Sequence, residues 1–515
     1  MLRLLAAALA LPLPTLPGRE VGSSGSSCHV VADQRNVSWL RCPGRSDTMT
    51  IGVNHVSNNC RGPGVSPPRN STTAPYADNS AICMTWDSSI NRSAYRDSTL
   101  ARYGSDGGWA RSAASRLTSW GFNTAGAWSS TELEQPGAGL LFTLVLDMGV
   151  SWSATVARGF PDVFEQSWAA SVQAIAEHEC APRRDNPNLL GYFPDNELNW
   201  FGHWPAGHGC SRQHPGNCTS TSLLTWFLLR PATSAGNLAA RAFLTDRYHS
   251  LSALNAAWGT TISSWSAVGA ATPFPAPTAA RAKDDADFLT IVSDKYHSTV
   301  ARAIRAADPN HLIIGYRLNG KHGDDPSVEP DDEILLPLVR SAAKYVDILD
   351  VSMSRLRILC VSTSSLSEAA CAQYHSYSVD APLAELRTLH ENSGLPVMVS
   401  EFGFRASDSG LPNSDGAGPV VTTQAERAAG MSAYIRAMVR LPFVVGYHVF
   451  AWVDEPASGN GWQENSNYGL VHLDDDPYTA MVDMYTALHR DVAQLHAAGA
   501  RPRKPDGPER PVEAG

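Results

Sequence analysis

The sequence predicts an α/β fold, a (β/α)8 TIM barrel with a long insertion between strands 4 and 5. Two observations carry that prediction. Eight short apolar runs recur along the chain, each too short for a helix, as strands buried on both faces are. Helix-like segments lie between them, the order of a parallel sheet with helical crossovers. The 515 residues are 43 % hydrophobic and 17 % charged, which supports a full core and excludes a largely disordered chain. A net charge of −10 gives no basic footprint for nucleic acid, so no such partner is expected.

Taken in order, residues 1–18 read as a signal peptide. Arg3 precedes an apolar run from Leu4 to Leu13, too short to span a bilayer. No later stretch reaches the ~18 apolar residues of a membrane helix, so the chain is expected to be secreted with no membrane span. Asn-x-Ser/Thr triplets at Asn36, Asn70, Asn91 and Asn217 fit a glycoprotein. The nine cysteines fit an oxidising compartment. Near neighbours Cys28/Cys42, Cys60/Cys83, Cys210/Cys218 and Cys360/Cys371 are read as local disulfides, with Cys180 left over, although spacing alone does not fix connectivity.

Residues 19–48, Ser/Gly-rich and polar, form an extended lead-in. The catalytic domain is placed at 49–490. Its strands are Met49–Val53, Asn123–Ala127, Leu140–Leu146, Leu189–Phe193, Leu312–Tyr316, Val346–Val351, Pro396–Ser400 and Val444–Phe450. Its helices include Trp109–Trp120, Phe164–Glu179, Phe288–Ala306, Leu383–Glu391 and Gln424–Arg440. The gap from Phe193 to Leu312 is too long for a simple crossover, so residues 200–282 are read as an insertion at the mouth, with a helix at Ala239–Tyr248. Residues 491–515 form a C-terminal tail, Pro- and Arg-rich from Ala500 on and expected to be disordered.

Two carboxylates stand out by position. Strand four runs into Pro194-Asp195-Asn196-Glu197, and strand seven ends in Ser400-Glu401. Active sites of such barrels lie at the C-terminal strand ends, so both side chains face one mouth. A carboxyl pair flanking one glycosidic bond supplies the acid and the nucleophile of a retaining glycosidase. A single Glu would be read as a solvated loop residue; two at these strand ends are not.

Longer stretches are more specific: Gly121-Phe122-Asn123-Thr124, Gly191 through Trp200, Leu254 through Thr260, Asp308-Pro309-Asn310-His311-Leu312, Ser400 through Phe404 and Asn467 through Val471. From about Met49 to Arg490 the chain resembles the clan of retaining (β/α)8 glycoside hydrolases, and within it the β-agarase-type and β-galactosidase-like glycosidases. The resemblance implies Glu197 as general acid/base and Glu401 as nucleophile. It implies Asn196 as partner of the sugar 2-hydroxyl and Trp452 as floor of the −1 subsite. It implies a carbohydrate substrate, galactose-containing and β-linked, and no cofactor. One departure stands out. The family usually has a Tyr at the end of strand six touching the nucleophile, where this chain has Ser354; another residue supplies the contact, or activity is altered. The alternatives are a β-glucan or β-mannan glycosidase of the same clan, and a catalytically silent sugar-binding barrel.

His55, His203 and His448 could line the mouth, although a lone His is more often structural. Trp128, Trp152, Trp200, Trp204 and Trp462 fall in presumed mouth loops; core packing accounts for any one of them, but five favour a sugar groove with at least two exposed. His203, His208, Cys210, His214 and Cys218 could bind zinc, but their spacing matches no Cys-x-x-Cys knuckle and oxidation would consume the thiols, so no metal is expected. Gly315 through Lys321 lacks the Ser/Thr of a phosphate loop. Asp474-Asp475-Asp476 reads as a polar turn rather than a calcium site. Serine-hydrolase and zincin motifs do not occur.

Overall fold

The computed structural model describes residues 27–60, 83–149 except 88, 160–269 except 197, 199, 201–203, 206–217 and 220–221, 278–319 except 316, 332–352, 379–460 and 464–499. Its centre is a curled, all-parallel sheet. The strands are β1 (Thr50–Val53), β2 (Thr124–Ala125), β3 (Leu141–Val145), β4 (Leu189–Phe193), β5 in two pieces (Leu312–Ile313 and Leu318–Asn319), β6 (Leu349–Ser352), β7 (Val397–Glu401) and β8 (Val444–Val449). The hydrogen-bonded order is β6-β7-β8-β1-β2-β3-β4, with one piece of β5 on each edge. Between those edges the ladder is interrupted: Ile314 meets Ile348 in an isolated parallel bridge.

Helices cross over between strands. They are α1 (Ala94–Tyr103) and α2 (Asp106–Ser119) after β1, α3 (Gln166–Ile175) after β3, and α4 (Leu223–Leu229), α5 (Ala235–Tyr248), α6 (Leu251–Trp258) and α7 (Ala279–Ala307) between β4 and β5. α8 (Asp332–Ala342) follows β5, α9 (Leu383–Ser393) follows β6, α10 (Gln424–Met438) follows β7 and α11 (Thr479–Ala498) follows β8. Hydroxyl N-caps start seven of them: Ser93, Ser105, Ser222, Ser234, Ser250, Thr278 and Thr423 each accept from the N–H three residues on. Gly104, Gly259 and Gly394 close α1, α6 and α9 at positive φ. No helix among the described residues is long and apolar enough to cross a membrane.

α7 starts at Ala279, well before the expected Phe288, because its polar first turns are buried by pairing rather than by hydropathy. Arg281 pairs with Asp285, and Asp284 accepts from Arg247, Tyr248 and Trp258 of the preceding helices. α8 was not foreseen, since Pro337 sits inside it.

Alternation along the strands divides the core. Phe142, Leu144, Val397, Val399, Val444 and Tyr447 pack outward against the helices. Leu141, Val145, Leu190, Leu312, Met398 and Val445 fill the inside of the sheet. Leu40, Cys28 and Cys42 join that inner cluster, so the described part of the lead-in, from residue 27 on, contains a hairpin (His29–Ala32 with Ser38–Arg41) packed on the inside of the sheet. Cys28–Cys42 and Cys60–Cys83 are bonded, and Cys180 is buried with a free thiol. Of the expected pairs Cys210–Cys218 and Cys360–Cys371, Cys210, Cys360 and Cys371 lie outside the described residues and only the backbone of Cys218 is described.

Arg427 of α10 fastens the helix layer to the loops beyond β7 and β8. It is fully buried and donates to the carbonyls of Phe404, Tyr468 and Gly469 at 2.7–3.0 Å. Arg427→Met takes a donor from three buried carbonyls, of which Tyr468 keeps the Ala451 N–H, and should lower unfolding stability by about 3 kcal/mol or more. A urea melt shifted by less than a third of that would show that water replaces the guanidinium.

Candidate active site

The C-terminal strand ends gather a ring of polar and aromatic residues. Asn54, just past β1, is fully buried and ties three strands: its Nδ2 donates to the Ser400 carbonyl at 2.8 Å, and its Oδ1 accepts from Ala127 N–H at 3.0 Å. Past β2, Trp128 stacks on His55 with ring centroids 4.6 Å apart. Past β4, Asp195 is buried and accepts from Gly149 N–H at 2.7 Å and from the Tyr296 hydroxyl, which fixes the chain leading into Asn196. Glu401, at the last position of β7, is 8 % exposed.

Arg317, between the two pieces of β5, stands at the centre of this ring and was not singled out in the sequence. Its side chain is 0 % exposed. Nη2 donates to the Glu401 carboxylate, Nε to Asn196 Oδ1 at 2.6 Å, and Nη1 to Ser400 Oγ at 3.0 Å. Its guanidinium carbon lies 4.6 Å from the Trp128 ring centroid and 5.3 Å from that of Phe193. Arg317 thus supplies a contact to Glu401 of the kind expected of a strand-six Tyr; Ser354 lies outside the described residues. A guanidinium only donates, so the Asn196 atom facing Nε is the oxygen, and the Asn196 amide is left with its NH2 as the group to offer a ligand.

The charge of Arg317 and the burial of its neighbours shift their protonation. Burial, then Arg317, holds His55 well below the usual imidazole range. Burial and Arg317 also bring His448 down to about 3. Asp350 of β6 is fully buried; burial pushes it up to about 7, against the opposing pull of Arg317 and Ser400.

The expected site residues therefore separate. Asn196, Trp128, His55 and Glu401 converge on Arg317 or its stacking partners. His448 lies inside the sheet rather than in the mouth. Its Nε2 is 2.8 Å from Thr50 Oγ1, and its ring occupies the space a Cβ on Gly52 would need. Trp452 does not floor a subsite: it is 0 % exposed, donates to Tyr95 Oη at 2.7 Å and stacks on Trp120. The chain leaves the ladder after Val449, so strand parity no longer predicts facing. Phe450, half-buried and 5.2 Å from the His55 ring, holds the mouth-side position instead. Trp200 is 1 % exposed and packs among Phe160, Tyr296 and His297, so it is core rather than groove. Glu197, His203, Trp152, Trp462 and the His/Cys cluster, apart from the backbone of Cys218, lie outside the described residues. No metal-binding group of His, Cys, Asp and Glu occurs among the described residues.

In fold, the chain is of the α/β barrel kind found in glycoside hydrolases. It matches the solved structure of an exo-β-agarase with a TM-score of 0.67 at 20 % identity, over 96 % of this chain and 70 % of that one. A second solved agarase matches with a TM-score of 0.64 at 20 % identity, over 92 % and 65 %. Sequence comparison is more particular. The chain is similar to β-agarase A of Vibrio sp. (strain JT0107), 27 % identical over 416 residues, and to β-agarase B of the same strain, 25 % identical over 393 residues. These matches cover 76 % and 74 % of this chain but only 36 % of each relative, so the chain spans little more than a third of their length. No protein-family model matches the chain. The β-agarase-type resemblance read from the residues holds.

Asp350 yields a pH prediction. Its folded pKa, about 7, lies above its unfolded value, so it contributes stability that is full at acid pH and is lost as pH rises towards and through 7. Asp350→Asn should remove that loss, making the variant relatively more stable at pH 8 than at pH 5 compared with wild type. Parallel Tm–pH curves for the two proteins would show that Asp350 is already ionised at pH 5.

Proposed function

We propose that the protein is a secreted retaining glycoside hydrolase cleaving β-glycosidic bonds in galactose-containing, agarose-type polysaccharides or oligosaccharides. The observation that carries this reading is Glu401: a carboxylate at the end of β7, braced by a buried Arg at a strand-end mouth, in a chain similar to β-agarases. The named activity of those relatives is the support for the galactan substrate. The leader pattern and the two disulfides support secretion. The catalytic domain is taken as residues 49–490, a closed (β/α)8 barrel, with 200–282 inserted at its mouth.

In this reading Glu197 protonates the leaving glycosidic oxygen while the Glu401 carboxylate attacks the anomeric carbon, forming a glycosyl ester. Glu197, now a carboxylate, takes a proton from water, whose oxygen attacks the same carbon and releases Glu401. The product keeps its anomeric configuration. The Asn196 amide NH2 and the Trp128 Nε1–H, which has no partner among the described residues, are donors suited to sugar oxygens.

The test uses agarose oligosaccharides beside β-glucan, β-mannan and chromogenic β-glycosides. Glu401→Gln should lose turnover by at least about 10⁴-fold, since an amide cannot form the ester. Glu197→Ala should keep glycosylation by substrates with good leaving groups, stall at hydrolysis, and be rescued by azide to a glycosyl azide of retained configuration. Azide product of inverted configuration from Glu401→Ala is compatible with these roles; retained product from both variants means they are wrong. Binding without release of any sugar identifies a silent barrel instead.

A further inference from the structure

We propose that Arg317 is a positioning residue that fixes both Glu401 and Asn196 in the mouth; its catalytic meaning rests on the hydrolase reading above. Three observations converge. A single guanidinium bonds residues at the ends of two strands, Asn196 past β4 and Ser400-Glu401 on β7, and lies itself on β5. It cannot serve as a loose surface charge, because it is fully buried between the Trp128 and Phe193 rings. Its backbone sits at φ +51°, a region uncommon for non-glycine residues, so the surroundings hold it where the three contacts are made.

The chemistry follows from the fork. Bonds at Nη2, Nε and Nη1 leave little of the guanidinium for a ligand, so Arg317 acts through its partners rather than on the sugar. The bond to a Glu401 oxygen orients the carboxylate towards the mouth before substrate arrives. The bond to Asn196 Oδ1 keeps that amide from flipping, so that a hydroxyl beside it meets NH2 rather than oxygen. One residue thereby coordinates the attacking group with the group that grips the sugar.

The test uses Arg317→Met and Arg317→Lys in the full chain. With a substrate that wild type hydrolyses, Arg317→Met should lower kcat/KM about 100-fold, mostly in kcat, as expected of a reacting group misplaced by about an ångström. The acidic limb of kcat/KM should move to higher pH, because a carboxylate deprived of a neighbouring cation ionises less readily. Arg317→Lys keeps the charge without the fork, so it should return the acidic limb towards wild type while restoring only part of the rate. A purely structural arginine would lower Tm but leave kcat per folded molecule and the pH limb unchanged, and that result overturns the proposal.

The pairing is also measured without substrate. Glu401→Gln should lower Tm in the wild-type background and raise it in Arg317→Met, where it removes a buried charge that has lost its guanidinium. Equal shifts in the two backgrounds overturn the proposal. Opposed shifts in a protein that releases no sugar would sink the hydrolase reading alone, leaving Arg317 as the organiser of a binding mouth.

Discussion

Arg317 places a permanent positive charge where water does not reach, and much of the surrounding arrangement answers that fact. A buried cation costs several kcal/mol unless opposite charge and acceptors surround it. Glu401 supplies the charge, Asn196 and Ser400 supply acceptors, and two aromatic faces supply their negative quadrupoles. The same charge reaches further. It disfavours protonated His55 and His448, and it opposes the rise that burial imposes on Asp350. The inside of the sheet near its C-terminal end is thus one electrostatic unit built round one guanidinium.

Holding such a unit requires stiff surroundings. Asn54 and Asp195 provide them at the mouth by accepting backbone N–H groups of the loops after β2 and β3. Outside the sheet, Arg427 braces the loops beyond β7 and β8 by donating to their carbonyls. Asp475 braces the region near α1 and α2 by accepting from the side chains of Tyr95, Tyr103 and Arg116. Trp452 belongs to this last network through Tyr95, and its burial there helps set the course of the chain just past Phe450. In each case a buried polar side chain satisfies loop backbone or carboxylate groups that the ladders and helices leave over.

The elements closest to their sequence reading are those whose signal is local. Leu189–Phe193 is the strand expected, because an unbroken apolar run of five residues suits a two-sided buried strand and little else. Val397–Glu401 and Gln424–Met438 lie close to their expected limits for similar reasons, the helix being started by the Thr423/Glu426 capping box. The start of α7 was hidden because Arg281, Asp284 and Asp285 read as solvent-facing polar residues. Their burial depends on partners in α4, α5 and α6 that sequence proximity does not reveal.

The sequence by itself determined the parallel α/β pattern, the position of Glu401 at a strand end and the likeness to β-agarases, since each rests on contiguous residues. Tertiary structure alone decided the contacts of Arg317, whose partners lie 121 and 84 positions away at Asn196 and Glu401. It also decided that Phe450 rather than Trp452 faces the mouth, and that Trp200 and His448 are interior. Facing follows alternation only while the chain stays in the ladder, and beyond the last ladder bond the direction of a side chain is set by what packs against it. A lone arginine carries no period and no motif, so only the fold could give it its carboxylate.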